Sequence, residues 1–142
     1  MTWHQIDETL WYLVDVYRER IDYPTLKAKV VTHTEDWRAD QVLIEEAGTA
    51  IALIQELKYC VPGITAIKPE RDKEVRMSVA SAVFEAGQVY LPTQAPWLPD
   101  LEAELFAFPG SRHDDQIDSI SQALNHPSTI AAWLRFGAAM EE

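Results

Sequence analysis

Four short runs rich in β-branched and aromatic residues alternate with stretches of helical periodicity, and this alternation most limits the folds open to the chain. "TLWYLVDVY" at 9–17 has the composition of a strand. Pro24 then opens a helix in its first turn, running to about Trp37 with Leu26, Val30, Val31 and Thr34 on its inner stripe. "DQVLIEEAG" holds a short buried strand, 41–45, that ends in acid. Ala50, Leu53, Ile54 and Leu57 mark the next helix, and "GITAIKP" is a strand stopped by Pro69. Val75, Val79, Val83 and Phe84 predict a helix ending at Gly87, and "QVYLP" a short strand or sheet edge. "WLPDLEAELFAF" is a short helix, and residues 126–142, with "STIAAWLRFGAAMEE", are a last helix or tail. Strands interleaved with helices imply an α/β domain with a largely parallel core, and one domain suits 142 residues.

Between those last two helices Pro109-Gly110 turns the chain into "SRHDDQIDSISQALN". Ile117, Ile120, Ala123 and Leu124 make it amphipathic, with Ser111 as a possible N-cap. Carboxylates in a first turn are favoured by the helix dipole. Asp114 and Asp115 side by side, with Asp118 one turn on, repel one another unless a cation stands among them. Glu45 and Glu46 form a second acidic point where a buried strand runs out, the edge at which open α/β sheets build their sites. Brought together, such hard oxygen donors suit Mg²⁺ or Mn²⁺, and two metals about 3.5–4 Å apart can cleave a phosphodiester. A solvated face and a helix cap explain the same residues as well.

Composition narrows the classes. A net charge of −11 argues against a non-specific nucleic-acid coat but not against an enzyme that meets phosphate through bound metal. The single cysteine, Cys60, excludes an internal disulfide and a zinc ribbon, and fits a reducing cytoplasm. It follows an aromatic at a helix end, as an inert packed thiol would. No apolar run approaches a membrane span, and no basic-then-apolar leader opens the chain.

From about Tyr12 to Leu124 the chain resembles the C-terminal nuclease domain of tailed-phage terminase large subunits, the DNA-packaging motors. The similar stretches, in the family's order, are "YLVDVYRERIDYPTLK", "ADQVLIEEAGTAIALIQELK", "GITAIKPERDKEVRMSVASAVFEAGQVYLP", "APWLPDLEAELFAFP" and "RHDDQIDSISQAL". The resemblance implies a ribonuclease H-like mixed or parallel sheet flanked by helices. It also implies Mg²⁺- or Mn²⁺-dependent endonuclease cleavage of double-stranded DNA during genome packaging in the cytoplasm of a bacterial host. It makes Glu45 the acid at the end of the family's fourth strand, and Asp114 and Asp115 the acidic pair of the last motif, with Asp115 the favoured metal ligand. His113 follows as an adjacent proton acceptor and Asp118 as a supporting carboxylate; Glu46 is the solvated neighbour. Glu45 and Asp115 are expected to converge. An ATPase domain and a portal are the implied partners besides DNA.

The chain departs from the family's pattern in two places. The family's first catalytic aspartate lies on a strand ahead of the matched segment, and no G-x-x-x-x-G-K-[ST] phosphate loop occurs. The expectation is an N-terminally truncated fold, with a two-metal site incomplete and inactive in the isolated chain. The 9–17 strand is then expected to pair beside 41–45 or with a second copy, placing Asp15 near the missing acid. The competing class is a non-catalytic prophage remnant that serves as an oligomerising structural module, and a third is an unrelated metal-binding α/β module. "KPERDKEVR" sets Lys68, Arg71, Lys73 and Arg76 against Glu70, Asp72 and Glu74. Lys73 and Arg76 share a helix face and could touch DNA phosphates, or complete a surface ion-pair ladder. Trp97 and Trp133 sit beside apolar neighbours, as core or interface residues do.

Overall fold

The computed structural model describes residues 1–69, 72–110 and 112–126. Glu70, Arg71 and Ser111, and the segment 127–142 with Trp133, lie outside the described residues. In chain order the elements are β1 (Thr2–Gln5), β2 (Trp11–Asp15), α1 (Tyr23–Asp36), β3 (Val42–Glu45), α2 (Ala50–Leu57), β4 (Ile64–Ile67), α3 (Lys73–Glu85), β5 (Val89–Tyr90), α4 (Leu98–Ala107) and α5 (Asp115–Asn125). They fall into two compact units, one formed by Met1–Tyr17 with the chain from Asp72 onward, the other by Arg18–Arg71.

The first unit is built on a mixed sheet of order β1-β2-β5. β1 and β2 are antiparallel, with Trp3 opposite Leu13 and His4 opposite Tyr12. Their connection turns on Asp7, whose Oδ1 accepts from the N–H of Thr9 at 2.7 Å and of Leu10 at 3.0 Å. Such a side-chain bridge closes a turn without glycine. β5 takes the other edge of β2 in parallel, with Tyr90 opposite Tyr12. Strand alternation sends Leu13 inward, where it is buried with Leu101 and Ile120 and flanked by Trp3, Phe84, Trp97 and Leu124. Met77, Ala80 and Ile117 form a neighbouring buried cluster between α3 and α5.

In the second unit β3 and β4 are parallel, from Val42 opposite Ile64 to Glu45 opposite Ile67. α1 starts where expected: Pro24 lies in its first turn, and the Asp22 carboxylate caps it by accepting from Thr25 N–H at 3.0 Å. Leu53, Leu57 and Val61 are buried beneath α2 against Val30, Val31, Val42, Ile44 and Ile64. Outside this core, Glu56 accepts from Lys27 Nζ at 2.5 Å and Tyr23 Oη at 3.2 Å, tying α1 to α2.

The α/β class stands, and the three-stranded sheet is mixed, within the mixed or parallel sheet that the resemblance implied, because β1–β2 is a hairpin. β2 pairs with β1 along one edge and with β5 at Trp11 and Tyr12 on the other, and not with β3 as one expectation had it. The helix over 73–85 exists, but its inner face is not the valine stripe: Val75 and Val79 are exposed, while Arg76, Met77 and Ala80 are buried. Small Ala80 admits close helix approach, and Arg76 turns inward because a carboxylate waits there. Trp97 packs against the core, as its apolar neighbours suggested. Cys60 is exposed rather than packed, its Sγ directed at the Leu57 carbonyl oxygen at 3.6 Å.

Gly63 has φ +77°, and a Cβ there would overlap the Asp40 carbonyl oxygen. Its own carbonyl accepts from Val42 N–H at 2.9 Å, starting the β3–β4 pairing. Left-handed backbone and steric overlap act together, so Gly63→Ala should lower stability by about 2–4 kcal/mol. Urea unfolding of the two proteins measures this, and a loss below about 0.5 kcal/mol would contradict the assignment.

Candidate functional site

The acidic helix α5 begins at Asp115, with Asp114 at the N-cap position and no side-chain cap of its own. This corrects the N-cap suggested at Ser111, three residues earlier. The capping group comes from another helix. Glu104 of α4, only 7% exposed, accepts at Oε1 from the N–H of Gln116 at 2.7 Å and of Ile117 at 3.3 Å, and at Oε2 from Gln116 Nε2 at 2.8 Å. A buried carboxylate is stable there because it meets the free N–H groups and positive dipole end of a helix. The first turn of α5 is therefore anchored from beneath, and Asp114, Asp115 and Asp118 ride on it.

Charge on the upper side is met by α3. Lys73 Nζ donates to Asp114 Oδ2 at 3.0 Å and to Asp118 Oδ2 at 2.6 Å. Arg76 donates through Nη2 to Asp118 Oδ1 at 3.0 Å, with its side chain 8% exposed and that of Asp118 21%. Asn125 Nδ2 ties the end of α5 back to the Arg76 carbonyl oxygen at 3.0 Å. The hydrogen bonds that the Lys73 ammonium donates to Asp118 and Asp114, in that order, hold it above its ordinary value of 10.5. With a raised folded value, its contribution to stability is whole below pH 10.5 and is lost as pH climbs through the folded value.

Of the residues singled out in the sequence, Asp114 and Asp118 are brought together on one ammonium, and Lys73 and Arg76 are their partners rather than members of a ladder along α3. Asp115 and His113 are exposed beside them. Glu45 ends β3 in the second unit, half-buried, and Glu46 next to it is exposed. The sequence reading missed Glu104, Gln116 and Asn125. The signal for Glu104 was its position on the apolar stripe Leu101–Glu104–Leu105, where an acid needs a buried donor.

Among the described residues no group of three or more His, Cys, Asp or Glu side chains is set to hold a metal ion. Two carboxylate oxygens from different residues close instead on the Lys73 ammonium. Removing the cap from beneath tests the anchoring. Glu104→Ala leaves two helix N–H groups and the Gln116 amide without their acceptor, and should cost about 2–4 kcal/mol in urea unfolding. A cost under about 0.5 kcal/mol would show that α5 starts for another reason.

Comparison with known proteins gives one result. A family model described as Terminase RNaseH-like domain matches residues 2–127. No curated protein and no solved structure matches significantly.

Proposed function

The chain belongs to the terminase RNaseH-like domain family, and from that premise we propose that it is a metal-dependent endonuclease domain cleaving double-stranded DNA during genome packaging. The observation that carries this reading is the acidic start of α5, which lies in the matched span together with Glu45 at the end of β3. Asp115 and Asp114 would hold Mg²⁺ or Mn²⁺ with Asp118 supporting them, and Glu45 is a candidate ligand by the family resemblance alone. Bound metal supplies an activated water and charge stabilisation for the leaving oxygen.

The chain's own groups prepare for that role. Glu104 fixes the backbone beneath Asp114 and Asp115, so their carboxylates are presented from a rigid helix end. Arg76 orients Asp118 through Oδ1 and leaves Oδ2 facing Lys73. His113, exposed one residue before the acidic pair, is the proposed proton acceptor. DNA, an ATPase domain and a portal are the proposed partners. A second reading, a non-catalytic structural module, draws on the ion pairs that already neutralise Asp114 and Asp118.

Plasmid nicking separates the two. The chain is assayed with Mn²⁺ as it stands and with an Asp-bearing strand of the family's kind joined ahead of Trp3. Nicking in the joined form, reduced at least about a hundredfold by Asp115→Ala or Glu45→Ala, is the expected result. Nicking that survives both substitutions, or no nicking by either form, would overturn the nuclease reading.

A further inference from the structure

We propose that the chain's own segment 127–142 docks as a helix on the exposed apolar row of α3. The proposal stands apart from the nuclease reading. Val75, Val79 and Ala82 are exposed at i, i+4 and i+7 of α3, and Ala86 at its C-cap continues the row. Val75 is 58% exposed and Val79 53%. Valine is a poor choice for a solvated helix face, since it lowers helix propensity and gains nothing in water. Apolar residues repeated along one helix face mark a surface that something covers.

The path of the chain names the occupant. α5 ends at Asn125, whose Nδ2 donates to the Arg76 carbonyl oxygen at 3.0 Å. Val75 and Val79 lie one residue before and three after Arg76, turned about 100° and 60° to the same side of it. The chain therefore leaves α5 beside the row. His126 has extended backbone and Pro127 follows, which ends α5. Pro127, Ser128 and Thr129 can span about 10 Å, the width of a helix.

Beyond them, "TIAAWLRFGAAM" repeats Ile130, Trp133, Leu134 and Gly137 at i, i+3, i+4 and i+7, with Thr129 suited to the N-cap. As a helix it is about 18 Å long, close to the roughly 17 Å from Val75 to Ala86. Arg135 is its one charged residue before the terminal glutamates, so an apolar segment meets an apolar row. Small Ala82 and Gly137 permit close approach of the two helices. Attachment to α5 gives this segment a local concentration near millimolar, ahead of a second copy in dilute solution. Docking would brace α3, the helix that carries Lys73 and Arg76.

Hydrogen exchange of the full chain, followed by mass spectrometry, tests this. Amides of 130–140 should exchange at least about tenfold more slowly than in an unstructured chain, unchanged over about a hundredfold dilution. Val79→Asp should abolish that protection, while Phe106→Asp, at an exposed position on α4, should leave it. Exchange at the unstructured rate, or protection indifferent to Val79→Asp, would overturn the docking. Protection that fades on dilution would overturn it in favour of a second copy. Should Val79→Asp fail to fold, the methyl resonances of Val75 and Val79 decide. They should shift in Trp133→Ala relative to wild type as the indole ring is lost, and unmoved resonances would overturn the proposal.

Discussion

The ion pair between Arg76 and Asp118 is the contact on which the first unit's helical layer depends. An arginine 7% exposed on α3 is tolerable only if a carboxylate meets its guanidinium, and Asp118 does so at 3.0 Å from α5. That pairing sets the rotation of both helices. With Arg76 turned inward, Met77 and Ala80 follow it onto Ile117, and Val75 and Val79 are carried to the outside. Removing one partner would leave a nearly buried charge alone, a loss of about 3–5 kcal/mol in comparable settings.

Around this pair the chain handles acid in two ways. Glu104 is buried and accepts from two helix N–H groups and an amide. Asp114 and Asp118 are half-buried and satisfied by cations. The first arrangement is permanent, since no outside group can replace a backbone N–H beneath a helix. The second lies nearer solution, since the Lys73 side chain is 44% exposed. A protein of net charge −11 thus sets its acids down at two levels, one holding the architecture and one open to solution.

Much of this was legible from residues alone. Pro24 with Asp22, the apolar spacing of Leu53 and Leu57, and the run Val42–Glu45 gave α1, α2 and β3, because each depends on neighbours in sequence. β1 was not read: Thr2–Gln5 is too short to show alternation, and its strand character comes from pairing with β2 across the Asp7 turn. The face of α3 was misread because valine spacing ranked apolar residues above an arginine whose partner lies 42 residues away. The acidic helix was recognisable, and so was its need for a cation. That α3 itself provides that cation was not, for Lys73 and Asp118 are brought together only by tertiary packing.

The joint organisation of the acidic helix by Arg76 and Asp118 is tested most directly by a double-mutant cycle. Unfolding free energies are measured in urea for wild type, Arg76→Met, Asp118→Asn and the double variant. A coupling energy of about 1–3 kcal/mol is predicted for a pair this little exposed. Additive losses, with coupling indistinguishable from zero, would contradict it.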